Sequence, residues 1–450
     1  MSSPSTNACL PMPLKFWKKQ KKSPDEKAPK IAITPTYGYT EHALTEQCAI
    51  SAPVDTKIRN AILGTAMVDA LGGPPEFKPR FTFEFVGFYI PNRNFHDAEG
   101  KSLPPGTWTD DTSMALCLAR SIARHGFDEA RQLDTYLNWF KDGELSAVGF
   151  CFDIGGTTRR ALDLHANSPT ASESLDRIQA LLGGERNAGN GSLMRLIPVP
   201  LAFWRSPDVA REYARRSSRT THPAPLCLEV CEFWTSVVVQ ILQNTCGNGA
   251  KGTFSKLDLL RYISEYPFQH DQLRAALALL PSDASTSDNQ SSGSRTTNTE
   301  DVEDRYWQRH PILRLIAETR TSPTATTTGF FKLPTAKVLP SSGFVLHSVV
   351  AALYCFFATD SFETGAIMAV NLGDDADTTG AIYAGLAACW YGEELPSNAQ
   401  SLAAVGESIG SGLFWTDVML TWRRGIIKRD LLEEVADELV RFEKRWKPTK

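Results

Sequence analysis

A chain of 450 residues with 42% hydrophobic residues carries enough apolar surface for one large core, and 47 Lys+Arg against 51 Asp+Glu leave a net charge of -4. No global positive field exists to drive nonspecific nucleic-acid binding, so no stable nucleic-acid partner is expected. The 9 cysteines form no CxxC pair in a chain too long to need disulfide staples, and they read as reduced thiols of an intracellular protein, cytoplasmic with the nucleus as alternative.

Residues 1–55 read as a disordered basic tail. Met1 to Pro13 is Ser- and Pro-rich, Lys15 to Lys22 is basic around Phe16 and Trp17, and no apolar stretch of a secretion signal follows. Ordered sequence is expected from Thr56, because Ile58, Ala61, Ile62, Ala66, Met67 and Ala70 recur at helical spacing before Gly72, Gly73 and Pro74 stop the helix. Phe81 to Phe88 alternates like a strand, but its place between Pro79 and Pro91 suits an ordered loop equally. Helical patterns follow over Thr112–Arg124, Glu129–Lys141, Thr158–His165, Leu193–Trp204, Pro225–Gln243 and Trp307–Arg320. The stretch from Pro281 to Asp304 is Ser-, Thr-, Asp- and Asn-rich and reads as a disordered insertion, and Thr321 to Thr328 as a loop. Helices are then expected over Gly343–Phe357, Ala376–Tyr391, Gly412–Arg424 and Leu431–Arg445. The apolar run Gly343–Ala358 is broken by His347 and Ser348 and is shorter than the roughly 20 residues that span a bilayer, so no transmembrane segment is expected. The reading is an all-α fold, one helical domain over residues 56–450 that acts as a monomer.

Two acidic clusters stand at helix starts far apart in sequence: Thr109, Asp110 and Asp111, and Asp374, Asp375 and Asp377 with Thr378. Hard divalent cations need oxygen ligands, and two such clusters can build a two-metal site with hydroxyls of Thr109 and Thr378 completing it. Helix capping is the competing account of either cluster alone. Together they hold five carboxylates where one cap per helix would suffice, which favours a joint metal site. Asp110-Asp111 on a helix also suggests a terpene synthase, but the run lacks the third acidic residue of those enzymes.

The run Arg186 to Ser192, with Gly189, Asn190 and Gly191, precedes a helix whose free N–H groups can hold a diphosphate; a tight turn capped by Ser192 is the plainer alternative. In Cys151 to Thr158, Asp153 lies between apolar residues, and Gly155 and Gly156 let a ligand approach closely. Asp153 is a candidate for proton transfer or a helix cap. His222 is a candidate contact or an ordinary loop histidine.

These segments together resemble the ADP-ribosylglycohydrolase family from about Thr56 to Tyr391. The landmarks are Asp69-Ala70-Leu71-Gly72 with Glu76-Phe77, Gly106 to Met114, the segment around Asp153, Ala188 to Arg195, Arg219 to His222, and Asn371 to Gly380. The resemblance implies an orthogonal all-helical domain with two Mg2+ ions, Mn2+ being the substitute, held by positions matching Thr109, Asp110, Asp111, Asp375, Asp377 and Thr378. It further implies Glu76 as a ligand or base, Asp153 in cleavage at the anomeric carbon, and Asp111 beside them. Gly189 to Ser192 would contact the diphosphate, and Ser342, Gly343 and Phe344 would line the adenosine side. Two positions depart from the family pattern: Val68 stands where Gly is common, and Gly156 where Asn usually follows Asp-Ile-Gly.

The expected activity is hydrolysis of the glycosidic bond between ADP-ribose and a modified target, with an arginine side chain as leading acceptor and ADP-ribose as product. Serine-linked, nucleic-acid-linked or small-molecule ADP-ribose derivatives are the alternatives. A structural relative is one noncatalytic rival, which the complete ligand set argues against; a module that binds ADP-ribose without cleaving it is the other, with Gly156 as its only support.

Overall fold

The apolar spacing that begins at Ile58 builds the first of a succession of helices in a computed structural model that describes residues 39–40, 42–246, 253–281, 299–323, 325–396 and 412–448. The order begins with α1 (Val54–Gly72), the hairpin β1 (Asn92–His96) and β2 (Ser102–Leu103), α2 (Asp110–His125), α3 (Glu129–Asp142), α4 (Gly156–Ala166) and α5 (Ala171–Leu182). It continues with α6 (Pro198–Phe203), α7 (Pro207–Arg219), α8 (Pro225–Thr245), α9 (Lys256–Ser264), α10 (Asp271–Leu277), α11 (Thr299–Arg309) and α12 (Pro311–Thr321). A second hairpin, β3 (Thr326–Thr328) and β4 (Phe331–Leu333), precedes α13 (Val345–Ala358), α14 (Phe362–Val370), α15 (Ala376–Tyr391), α16 (Asp417–Gly425) and α17 (Arg429–Arg445). The fold is helical, as expected.

Helix α15 is the axis of the core, buried along its whole length from Ala376 to Tyr391. Its apolar and small residues leave no polar face, which fits a helix covered on all sides. Helix α1 lies along it, with α13, α14, α8 and α2 closing the remaining sides. Where α1 ends, a Cβ on Gly72 would lie 2.4 Å from Asp377 Cα, so the two backbones meet with nothing between them. Farther along, a Cβ on Gly380 would lie 2.8 Å from Val68 Cγ1. Val68 is fully buried, and the small residue opposite accommodates its departure from the family pattern.

Several boundaries differ from the sequence reading, each for a local reason. The helix expected over Leu193–Trp204 is confined to Pro198–Phe203; residues 191–195 are turns. Its apolar run reflected complete burial, which periodicity cannot separate from helix. Trp307–Arg320 is two helices, because Pro311 has no N–H to continue α11 and instead starts α12, with His310 as its cap. Phe81 to Phe88 is loop, and the strand pairing lies in the two short hairpins. Helix α8 is long and apolar enough to cross a membrane, yet most of it is buried among its neighbours in the core.

The tail and insertion drawn at residues 55 and 304 both reach too far, and the misassigned ends meet. Leu44 is fully buried, and its N–H donates to Glu303 Oε1 at 2.7 Å, while Thr45 Oγ1 donates to Glu303 Oε2 at 3.1 Å. Glu303 belongs to α11, inside the expected insertion. Ile50 N donates to Trp390 O at 2.9 Å, and the buried Lys57 ammonium donates back to Ile50 O at 2.6 Å. Residues 1–38 of the expected tail and 282–298 of the expected insertion lie outside the described residues. Leu44→Ala is therefore expected to cost about 2–5 kcal/mol in urea unfolding. A loss within about 0.5 kcal/mol would mark the segment as a surface appendage.

Candidate active site

The site forms where α1, α2, α4 and α15 bring their ends together. Asp69 in the last turns of α1 is fully buried and accepts from Thr109 N at 3.0 Å, Thr109 Oγ1 at 2.9 Å, Thr112 N at 3.0 Å and Thr112 Oγ1 at 2.5 Å. It thus satisfies the N-terminal amides of α2 from another helix. Thr109 and Asp375 occupy the N-cap positions of α2 and α15, and neither side chain makes a capping bond. Capping therefore does not account for Asp110, Asp111 or Asp375.

Freed of that task, the carboxylates converge on a cavity of about 440 Å³ lined by Glu76, Asp110, Asp111, Asp153, Asp374, Asp375 and Asp377 with Thr378. Among the described residues, no lysine or arginine lines it. Single oxygens of Glu76, Asp375 and Asp377 lie within 4.8 Å of one another. Thr378 Oγ1 donates to Asp111 Oδ2 at 3.2 Å, joining the two acidic helix starts across the sequence. Asp111 Oδ1 and Glu76 Oε2 are buried without a hydrogen-bond partner, an arrangement that costs free energy unless a cation or donor meets them. The donor set, oxygen-only and missing its counter-charge, fits hard divalent cations.

Burial, then mutual repulsion, raises these acids. Asp110 is pushed up to about 8 by burial and by Asp377, and Asp153 to about 9 by burial and by Asp110. Glu76, Asp111 and Asp377 rise well above the carboxylate range for the same two reasons. Such a group binds its proton in the folded chain at a pH where the unfolded chain has released it, so its contribution to stability falls as pH rises from about 4 towards its folded value. In chelator, Asp153→Asn is accordingly expected to gain stability relative to the native chain between about pH 5 and 9. The comparison cancels His222, His310, Lys57 and Lys256, whose lowered values act in the opposite direction. Parallel melting-temperature curves for the two proteins would contradict it.

The opposite wall comes from the turn at residues 189–191. Gly189, Asn190, Gly191, Met194, His222 and Gly343 line the cavity there. Asn190 Nδ2 donates to Asp375 Oδ2 at 2.7 Å and its N–H to Gly343 O at 3.0 Å, tying the turn to α15 and to the segment before α13. Gly191 has no room for a side chain, since a Cβ would lie 2.8 Å from His222 Cε1. His222 is buried, accepts or donates at Thr221 Oγ1 through Nδ1 at 2.8 Å, and is lowered to about 3 by burial and by Arg195, so it is neutral. Gly155 and Gly156 open the third side into α4; a Cβ on either meets nothing within 4 Å.

Not every expected contact reaches the cavity. Ser192 is turned into the core, where it accepts from Ser218 Oγ at 2.8 Å. Ser342 Oγ bonds His347 Nδ1 at 2.7 Å, and Phe344 packs its ring on His347 with centroids 5.0 Å apart. Thr109 lies just behind the lining, bonded to Asp69. Conversely, Asp69, Thr158, Met194 and Arg195 gained no individual role from sequence. Arg195 is fully buried, donates to Gly191 O at 3.0 Å and Thr221 Oγ1 at 2.8 Å, and lies over the Tyr136 ring at 4.6 Å, fixing the turn and the His222 loop. An arginine inside the apolar run Leu193 to Ile197 was the available signal.

The family model for ADP-ribosylglycohydrolase matches residues 51–448. The chain is 27% identical to the ADP-ribosylarginine hydrolase Tri1 of Serratia proteamaculans over 75% of its length and 72% of that protein's. It is 26% identical to the ADP-ribosyl-[dinitrogen reductase] glycohydrolase of Rhodospirillum rubrum, covering 76% of this chain and 89% of the relative. Among solved structures, it is similar to an ADP-ribosylglycohydrolase-related protein complex with a TM-score of 0.52 and 29% identity, over 87% of this chain and 99% of that one.

Proposed function

The chain belongs to the ADP-ribosylglycohydrolase family and is an enzyme of that kind, and from this we propose that it cleaves the N-glycosidic bond between ADP-ribose and an arginine side chain with two Mg2+ ions. The observation that carries the metal reading is the convergence of seven carboxylates on one cavity without a lysine or arginine among the described lining residues. The arginine acceptor is supported by the names of two relatives that span most of the chain.

In this reading Asp110, Asp111, Asp375, Asp377 and Thr378 hold the ions, with Glu76 as a further ligand or the base, and Thr109, expected among the ligands, stands behind Asp111 with its hydroxyl 3.4 Å from Oδ2. Bound Mg2+ would supply orientation of the ribose hydroxyls and offset negative charge that develops on their oxygens. The turn receives the diphosphate through the backbone N–H groups of Gly189 and Gly191, with the Asn190 N–H held by Gly343 O. Glu76, ionised where bound cations would offset the neighbouring acids that raise it, takes a proton from water as the water oxygen bonds the anomeric carbon. Asp153 gives a proton to the departing guanidine nitrogen as the carbon–nitrogen bond breaks. The neutral His222 fills the wall behind the turn.

Two experiments bear on this. Incubation with Mg2+ and peptides ADP-ribosylated on arginine or serine, or with ADP-ribosylated DNA, should release ADP-ribose fastest from arginine; release from serine or DNA alone would overturn the acceptor. Asp153→Asn should slow turnover by about 10²-fold or more while ADP-ribose binding persists. Turnover at the native rate would return Asp153 to a structural role.

A further inference from the structure

A chain of aromatic rings in mutual contact starts at the cavity wall beside Glu76. Phe77, the residue after Glu76, forms part of the cavity wall and is 65% exposed. Its ring meets Phe95 with centroids 6.1 Å apart at 67°, and Phe95 meets Phe152 at 5.2 Å and 58°. Phe152 immediately precedes Asp153 and meets Phe150 at 6.1 Å and 68°. The strip therefore brackets the two acids assigned to proton transfer.

Core packing does not explain Phe77. It has a left-handed backbone with φ 62°, which a bulky residue keeps only where the surroundings enforce it. The enforcement is visible: Phe77 N donates to Asp374 O at 2.7 Å, and Asp374, itself at φ 59°, donates its N–H to Lys78 O at 2.9 Å. Two strained residues thus brace each other at the cavity wall, and the result is an aromatic ring held out in water. Strain of this kind is a pointer to ligand contact.

The charge beside the ring identifies the ligand's chemistry. The wall beside the ring offers carboxyl oxygens as acceptors, and no basic side chain other than His222 lines the cavity among the described residues. A flat, weakly hydrated cation gains from the face of an aromatic ring and from unpaired carboxylates at once, and guanidinium fits both. We propose that the strip of Phe77, Phe95 and Phe152 is the docking rim for the ADP-ribosylated arginine, with its guanidinium against the Phe77 ring. This rests on the arginine reading above and adds the residues that distinguish arginine from a neutral acceptor. A serine-linked substrate carries no cation at that position and gains little from the rim.

The test compares the full-length native protein with Phe77→Ala, Phe77→Tyr and Phe152→Leu, each checked for an unchanged melting temperature, on ADP-ribosylarginine and ADP-ribosylserine peptides and on ADP-ribose alone. Phe77→Ala should raise KM for the arginine peptide about 5- to 30-fold with little change in kcat, and leave serine-peptide KM and ADP-ribose affinity unchanged. Phe77→Tyr should retain the native KM, and Phe152→Leu should raise it less than Phe77→Ala. An arginine KM unmoved by Phe77→Ala, or one raised equally for serine, would overturn the rim while leaving the arginine reading intact. A native protein that cleaves no arginine peptide would overturn both.

Discussion

Replacing Asp111 or Asp377 with Ala is expected to lower Mg2+-dependent hydrolysis by at least about 10²-fold, while the chelator-treated fold holds its stability or gains some. Both side chains are buried beside other acids, and repulsion and burial already push their protonation upward. Removing one relieves that repulsion. The N-terminus of α2 keeps its cap, because Asp69 supplies it. Residues that act as a unit are strongly non-additive, so the double variant should be hardly slower than either single one. If these aspartates served only their helices, each substitution would cost about 1 kcal/mol, the losses would add, and activity would survive. Initial rates of ADP-ribose release and melting curves in chelator distinguish the two patterns.

The second large effect is expected at Gly72, which lines no part of the cavity. Its missing Cβ is what lets the end of α1 touch the backbone of Asp377, and a backbone neighbour has no rotamer by which to yield. Gly72→Val should cost at least about 1–3 kcal/mol by overpacking and should also depress hydrolysis, because the displaced residue is one of the proposed ligands. Gly380→Ala is the milder control, since it meets the Val68 side chain first. Urea unfolding and rates on the same preparations check the pair. A Gly72→Val protein with native stability and rate would show that α1 and α15 do not need this contact.

Much of the fold was legible because α1, α2, α3 and α15 each combine a strong apolar pattern with a clear stop or start. What escaped notice did so for physical reasons. Residues 42–53 contain single apolar anchors, Leu44 and Ile50, in polar surroundings, and burial by a partner such as Glu303 leaves no periodic trace. Helices α5 and α7 are polar enough on their outer faces to pass for loops. The acidic clusters were visible as clusters, but the distinction between cap and ligand required Asp69, which reaches α2 from a different helix. Asp153, Gly189, Asn190 and Gly191 do face the cavity, whereas Ser192 turns inward because Ser218 offers a buried hydroxyl partner. Phe77 was legible only as part of the Glu76-Phe77 landmark and not as a contact, since backbone strain and exposure are properties of the folded chain.

The central claim is that the two acidic helix starts form one metal site, and calorimetric titration of the chelator-treated protein with Mg2+ in the presence of ADP-ribose tests it most directly. The account predicts two ions bound per chain, with both lost in Asp111→Ala and in Asp377→Ala alike. Native protein that takes up no Mg2+, or either variant binding two ions as the native chain does, would contradict it.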